Sequence, residues 1–406
     1  LPGGAPDALV VWPGYASVPA WVWAAPVPVV AAAHDPNLLW HGYRHLLPLA
    51  DLVLTDAPSA ARLRRAGLEH VRAANLFGLD RHFAAAVDDP EAERDIDVLF
   101  VGNVSPHVQG ARLPWLGRLG ALADRYRVVI AAGVFGAEYR ALLRRARLAF
   151  NRSVRGECNL RALEAAASGA VLLQEAENAE VRDYLQPGTE YAPYTDADFE
   201  AVVARLLADA AARRAIAGAA KDRARWWTFD ALIQVALGVG GKGWGEVKDR
   251  ARARGRGAVA VPLAGRVWQR VSRAGPDADP ALGADLAAAG DRHALGVLAR
   301  SPAEAEPHFA AAAAGNRVAR VSHALALAGA GRRDEARAAL RPVIAELEAR
   351  PELTPAEADA VPYPARFDWL RAGWERAAYE HPGDGAAERA AKARLLRGRA
   401  LALVAE

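Results

Sequence analysis

Methionine is absent from the 406-residue chain, and cysteine occurs once, as Cys158. A lone cysteine excludes an internal disulfide and fits a reducing compartment, so the sequence reads as cytoplasmic. No histidine or aspartate motif surrounds Cys158, which reads as a packing residue rather than a nucleophile. A chain that opens on leucine and lacks methionine is expected to be trimmed, with part of its N-terminal domain missing. Net charge is slight, at +3 from 51 basic and 48 acidic residues, which gives no reason to expect nucleic acid even though the pI is near 9.1. Residues 8–33 lack charge over a bilayer-spanning length, but Pro13, Gly14, Pro19, Pro26 and Pro28 cut them into short pieces, so no transmembrane segment is expected. No basic flank precedes a cleavable apolar core, which argues against a signal peptide. No aspartate pair is read as a metal site, and no cofactor is expected.

What the chain does contain is alternation. Strands are predicted at Ala8–Trp12, Val27–Ala33, Leu52–Thr55 and Val71–Leu76, with helices around Ser17–Ala24, Leu38–Leu47 and Ser59–Ala66 between them. Repeated strand and helix units imply a parallel sheet wound on both faces. A charged connector, Asp88 to Arg94, leads to a second start at Asp97-Val-Leu-Phe-Val, with Gly102 and Asn103 turning at the strand end. Tyr126–Ala132 reads as a strand and Ala137–Arg147 as a helix whose arginines form a solvated face.

The chain is organised around residues 147–175. Leu148–Phe150 is a short apolar run, Asn151–Gly156 is turn-like, Leu160–Ala167 is helix-forming, and Gly169 precedes the apolar run Ala170–Leu173. In a doubly wound sheet such a loop lies at the carboxyl end of its strand, where helix amides face a cleft that binds anions. Arg161 and Glu164 share one helix face. A carboxylate there can accept two hydrogen bonds from a vicinal diol, and an arginine fork can hold a diphosphate. The alternative is that Arg161 and Glu164 form a solvated helix pair while Glu157 caps the helix.

The run Asn151 to Leu173, with Asn-Leu-Arg-Ala-Leu-Glu-Ala-Ala-Ala-Ser-Gly-Ala-Val-Leu-Leu at its heart, resembles the donor-site segment of the group 1 glycosyltransferases, in the bacterial branch that includes the spore-maturation proteins. The resemblance extends over Pro6 to Leu237. It implies a GT-B fold of two Rossmann-like domains, with Glu164 on the ribose of the donor nucleotide. Relatives carry two glutamates eight positions apart; here Glu157 stands seven before Glu164 and Gly156 takes the eighth place. The resemblance also makes Arg112 a candidate for the diphosphate, beside the reading that it lies on an exposed helix face. Retention of anomeric configuration is implied as well.

Residues 238–257, rich in glycine and arginine, read as a basic linker or a loosely docked helix. Beyond them, alanine, leucine and arginine recur with helical spacing. Arg317–Gly329, Arg333–Leu340 and Arg341–Ala349 suggest paired antiparallel helices of tetratricopeptide-like type, with Gly331 at a tight turn and a further pair within Ala281–Ala314. Trp369, Trp374 and Tyr379 read as a core stripe.

The fold class expected is therefore α/β, with an acceptor-side Rossmann-like domain over 1–90 that is expected to be incomplete, a nucleotide-sugar domain over 95–237, a linker over 238–257 and an α-helical repeat-like domain over 258–406. The function expected is transfer of a sugar, without a metal, from a nucleotide-sugar donor to a glycan, protein or lipid acceptor. Gly102, Asn103, Arg112, Arg152, Asn159, Arg161 and Glu164 are the donor-site candidates, and His34 or Asp35 would position or deprotonate the acceptor hydroxyl in the cleft between domains. The competing reading is a non-catalytic scaffold whose helical domain binds a protein.

Overall fold

Four short strands form the first sheet: Leu9–Val11 (β1), Val29–Ala32 (β2), Leu52–Thr55 (β3) and Val71–Ala73 (β4), in the order β1-β2-β3-β4. β1 and β2 are parallel, with Leu9 opposite Val29. Every residue of β2 and β3 is buried, so both strands read as continuous apolar runs rather than as alternation. The computed structural model describes residues 6–14, 17–80, 83, 94–238, 242–254, 260–272, 279–363 and 368–405. Two units emerge from its contacts, one of Leu1–Val53, Arg62–Val71 and Gly245–Glu406, the other of Leu54–Ala61 and Arg72–Trp244.

In the first unit the helix Pro36–Leu46 follows β2 and carries Gly42, whose missing side chain admits Trp268 of the helix Leu263–Ser272. A Cβ at Gly42 would lie 1.7 Å from Trp268 Cδ1. The glycine-rich and arginine-rich stretch contains a helix, Lys242–Arg254. Its Arg254 reaches Asp51 Oδ2 at 2.8 Å and the carbonyl of Val27 at 3.1 Å, while Asp51 also accepts the Val29 amide at 2.8 Å. A guanidinium spread over a buried carboxylate and a carbonyl fixes this helix to the turn before β3.

The helical region packs in succession: Arg292–Leu298 on Pro302–Ala312, that on Arg317–Gly329, and that on Arg333–Ala349. The expected break at Arg341 does not occur, and Arg333–Ala349 is one helix with Pro342 inside it. Ala336, Leu340, Val343 and Leu347 recur on one face and are all buried. Burial of the three larger side chains, at about 1.5–3 kcal/mol each, exceeds the penalty of about 3 kcal/mol for an internal proline. Gly331 does make the turn before this helix, at φ +84°. The pair expected within Ala281–Ala314 is instead three helices, Leu282–Ala288, Arg292–Leu298 and Pro302–Ala312. Trp374 and Tyr379 are buried on the helix Trp369–Glu380, so the aromatic stripe is core. That helix meets Pro36–Leu46 through the His41 amide, which donates to Glu375 Oε2 at 2.8 Å. Residues from both ends of the chain thus build one unit, and the contact units do not follow chain order.

The second unit holds Ile96–Val101 (β5), Val128–Ala131 (β6), Ala146–Phe150 (β7), Val171–Glu175 (β8) and Ala192–Tyr194 (β9) in the order β6-β5-β7-β8-β9, all neighbours parallel. Side chains alternate between two cores. Val98, Phe100, Leu148, Phe150 and Leu173 pack with Trp115, Leu119, Phe199 and Val203 on one face. Leu99, Val101, Ala149 and Leu172 pack with Leu143, Ala162, Leu163 and Ala166 on the other. Both faces are therefore covered by helices, as a doubly wound sheet requires. The preceding helix, Gly136–Arg145, ends two residues before the expected Arg147, because Ala146 is buried and pairs with Ile96 in the sheet. Arg147 pairs with Asp97 and Arg145 with Asp95, so these arginines are not merely solvated. Among the described residues no helix is long and apolar enough to cross a membrane.

In an open helix Gly→Ala stabilises by up to about 1 kcal/mol. At Gly42 the added methyl meets an indole, and overpacking of this kind costs about 1–3 kcal/mol. The expected outcome is a lower urea midpoint for Gly42→Ala; an equal or higher midpoint would show that Trp268 yields.

Candidate functional site

β5 opens the second sheet, β6 lies on one side of it, and β7 lies on the other. The order in which strands are added to the sheet therefore reverses between β5 and β7, and the crevice at their carboxyl ends is where doubly wound sheets bind ligands. Asn151, the first residue after β7, is fully buried there. Its Nδ2 donates to Gln174 Oε1 at 2.7 Å and Asn159 Oδ1 at 3.0 Å, and its carbonyl accepts the Tyr194 hydroxyl at 2.7 Å. Its Oδ1 accepts Arg161 Nη1 at 2.6 Å.

Arg161 spans the crevice. From the helix Leu160–Ala167 its Nε and Nη2 donate to the Val101 carbonyl at 2.9 and 2.6 Å, while Nη1 holds Asn151. The ends of β5 and β7 are thus joined by one guanidinium. A Cβ on Gly102 would stand 2.3 Å from Arg161 Nη2, so the glycine at that strand end makes room for the arginine. Arg112 is buried rather than on an exposed helix face. Its Nε and Nη2 donate to the Arg152 carbonyl at 3.2 and 2.8 Å, and its Nη1 to the Asn103 carbonyl at 3.2 Å. Phe100 lies near both, 4.8 Å from the Arg161 guanidinium and 5.4 Å from that of Arg112. Arg152 lies over the Trp115 ring at 4.5 Å. Burial, followed by repulsion from Arg161, pulls Arg112 down to about 10. Arg112 remains charged at neutral pH, and the hydrogen bonds of both arginines above go to carbonyl and amide oxygens.

Glu164 does not pair with Arg161 by hydrogen bond. The Tyr139 hydroxyl, on the helix Gly136–Arg145, donates to Glu164 Oε2 at 3.0 Å. Burial pushes Glu164 up to about 7, against the opposing pull of Tyr139 and Arg161. Glu157 does not cap the helix either. Gly156 at φ +86° turns the chain so that Glu157 folds back onto the amides of Val154 and Arg155 at 3.3 and 2.7 Å. Asn159 occupies the cap position without a side-chain capping bond. Cys158 is buried, and burial pushes its thiol well above the ordinary range, which suits a packing role.

Several groups of this site carry no local signal in the sequence. Glu175 accepts the Ser153 amide at 2.9 Å and Asn178 Nδ2 at 3.2 Å; Asn178 also donates to the Glu157 carbonyl at 2.9 Å. Glu180 accepts the Cys158 amide at 2.6 Å and the Ala57 amide at 3.0 Å, and burial raises it to about 7. Arg155 pairs with Asp56 at 3.2 Å, both side chains buried. The loop 151–158 is thus held by carboxylates from beyond β8 and from the Asp56–Ala57 segment. The nearest sequence signal is Gln174-Glu175 closing an apolar run, a polar pair where a buried strand ends.

His34 and Asp35 lie in the first unit, after β2, whereas the seven donor-site candidates lie in the second. His34 is 4% exposed and stacks on Trp12 with centroids 3.9 Å apart, and its carbonyl accepts the Tyr43 hydroxyl at 2.7 Å. Asp35 is the one non-glycine residue at positive φ, +48°, among the described residues. Backbone held in that region is concentrated at functional sites. Among the described residues no group of three or more His, Cys, Asp or Glu could hold a metal ion.

Residues 81–238 match the family model described as Glycosyl transferase-like. This segment is similar, by that match, to glycosyl transferase-like domains. It contains all seven donor-site candidates, while His34 and Asp35 fall outside it. Comparison with curated proteins finds no match. Among solved structures, a GtfA/B complex aligns at TM-score 0.37 and 11% identity over 56% of this chain and 53% of that one. The pneumococcal O-GlcNAc transferase GtfA, with UDP and GlcNAc, aligns at TM-score 0.35 and 8% identity over 56% and 53%. Anabaena Alr3699/HepE, with UDP and glucose, aligns at TM-score 0.38 and 15% identity over 54% and 75%. The chain spans about half the length of the first two, 53% in each.

The buried carboxyls of the second unit set a sign for its pH dependence. Glu180 is raised from 4.5 to about 7 in the fold, so its contribution to stability is full below the unfolded value and is lost as pH rises through about 7. Glu180→Gln should flatten the decline of the unfolding midpoint between about pH 4.5 and about pH 7; an unaltered slope would assign the decline to other groups. Separately, Gly102→Ala should displace Arg161 and cost about 1–3 kcal/mol in urea unfolding, and an unchanged midpoint would mean the arginine moves freely.

Proposed function

We propose that the chain is a glycosyltransferase that draws its sugar from a nucleoside diphosphate donor held at the β5–β7 crevice. The observation that carries this reading is the placing of Arg112 and Arg161, two guanidiniums fixed by neutral oxygens at the end of β5 and in the loop after β7. Two like charges concentrated in one crevice favour a ligand with two negative groups, and a diphosphate has them. Glu164, on the same helix as Arg161, supplies an acceptor for the ribose hydroxyls. The match of residues 81–238 to a glycosyl transferase-like family model supports the same chemistry.

When the bond from the anomeric carbon to the diphosphate breaks, negative charge gathers on the leaving oxygen. Arg112, Arg161 and the amides at the start of the Leu160–Ala167 helix stabilise it without a proton donor, because their dipoles and charges are already in place. In this reading the transfer needs no metal and retains anomeric configuration. Gly102 and Asn103 act through the backbone, the first by admitting Arg161 and the second by accepting from Arg112. Arg152 does the same through its carbonyl, and Asn159 fixes Asn151. On the acceptor side His34 or Asp35 positions or deprotonates the acceptor hydroxyl.

Calorimetry with UDP, GDP, ADP and TDP tests the donor site. At least one should bind, and Arg161→Ala and Glu164→Ala should each weaken it about tenfold or more, near 1.4 kcal/mol. If all four fail to bind, or both variants bind as the parent does, the scaffold reading takes precedence. Mass spectrometry of products from mixed nucleotide sugars and cell extract then identifies the donor and acceptor.

A further inference from the structure

We infer that Tyr139 is a positioning residue for Glu164, holding one carboxylate oxygen so that the other is presented to the ribose of the donor. This rests on the donor-site reading above. The two residues stand on different helices, Gly136–Arg145 and Leu160–Ala167, and meet through the 3.0 Å bond from Tyr139 Oη to Glu164 Oε2. Glu164 Oε1 has no hydrogen-bond partner among the described residues. One oxygen is therefore anchored while the other keeps its lone pairs for a ligand.

The spacing of Arg161 and Glu164 explains why such an anchor matters. Three residues apart on one helix face, the two would form an ion pair if the carboxylate were free to turn. That pair would draw Arg161 away from the Val101 carbonyl and Asn151, and it would neutralise the charge that the diphosphate needs. Tyr139, on the neighbouring helix, supplies the hydrogen bond to the carboxylate that Arg161 would otherwise give. Its ring is seated against Phe83, with centroids 6.1 Å apart in an edge-on arrangement, so the hydroxyl is carried on a packed support.

The charged and titratable groups that face Glu164 are Tyr139 from the neighbouring helix, Arg161 from its own helix and Asp80 from the segment after β4. Tyr139 and Arg161 favour the carboxylate, Asp80 opposes it, and burial opposes it most. With Glu164 at about 7, binding through its carboxylate strengthens as pH rises through neutrality. Removing the tyrosine hydroxyl removes a bond to the charged form, so the midpoint of that rise moves up.

Tyr139→Phe deletes the hydroxyl and leaves the ring on Phe83. The measurement is calorimetric affinity for the nucleoside diphosphate that the parent binds best, from about pH 5.5 to about pH 9, with a melting curve to confirm the fold. The expected result is a binding midpoint raised by about one pH unit and an affinity at neutral pH lowered about tenfold, in line with a hydrogen bond to a charged group. Glu164→Gln should bind weakly at every pH, and adding Tyr139→Phe to it should change affinity by less than about twofold, because the tyrosine acts through the carboxylate. A Tyr139→Phe protein with the parent's midpoint, or an equal loss in both backgrounds, would overturn the positioning role. Failure of the parent itself to bind any nucleoside diphosphate would instead remove the donor-site reading on which the role is built.

Discussion

Arg161 lies across the ends of two strands, and the candidate site depends on how it is held. Its guanidinium donates to the Val101 carbonyl that closes β5 and to the side-chain oxygen Oδ1 of Asn151, which follows β7. Its planar fork lets one side chain hold both strand ends in a fixed relation, which a lysine could not do. The neighbours follow from this. Gly102 is bare because the guanidinium fills the space of its side chain, and Asn151 is tied on three further sides by Gln174, Asn159 and Tyr194 so that its oxygen is aimed at the arginine. Arg112 then adds a second charge against the backbone of the same two loops.

A concentration of positive charge is balanced nearby by buried acids that do not neutralise it by direct pairing. Glu157 and Glu175 raise the affinity of Arg112 for its proton, yet both carboxylates spend their hydrogen bonds on amides and side chains of the loop 151–158. Glu180 clasps the same loop through Cys158. Each of these carboxyls accepts backbone N–H groups that would otherwise be buried without partners, which keeps a polar loop ordered beside an apolar sheet. The loop is therefore stiff without being closed, a property suited to holding an anion.

The first unit solves a different problem. Its sheet is short, and helices from the other end of the chain complete its core: Trp268 enters the gap at Gly42, Glu375 accepts the His41 amide, and Arg254 covers Asp51. Contacts so distant in sequence cost loop-closure entropy but fasten the chain's two ends in one body. The helical region consequently serves as packing for the sheet as well as for itself.

Much of this architecture follows from local pattern. The strand at Leu52–Thr55 and the helix Arg317–Gly329 have the limits that apolar periodicity and capping residues predict. The stretch Asn151–Leu173 also marked the candidate site, because a polar loop between two apolar runs places its charged residues at a strand end whatever the rest of the chain does. Periodicity failed where tertiary packing outweighed it: Pro342 sits inside a continuous helix because its neighbours fill a core, and Ala146 left the helix for the sheet. The partners were invisible for the same reason. Whether Glu164 met Arg161 on its own helix or Tyr139 on another, whether Glu157 capped a helix or folded back, and whether residues 242–254 hung free or docked on Asp51 were settled only once distant segments came together. The residues determine which elements form and which chemistry each can offer, since those depend on neighbours a few positions away. Which donor meets which acceptor was decided by the fold, because burial makes every polar group choose a partner from whatever the whole chain brings within 3 Å.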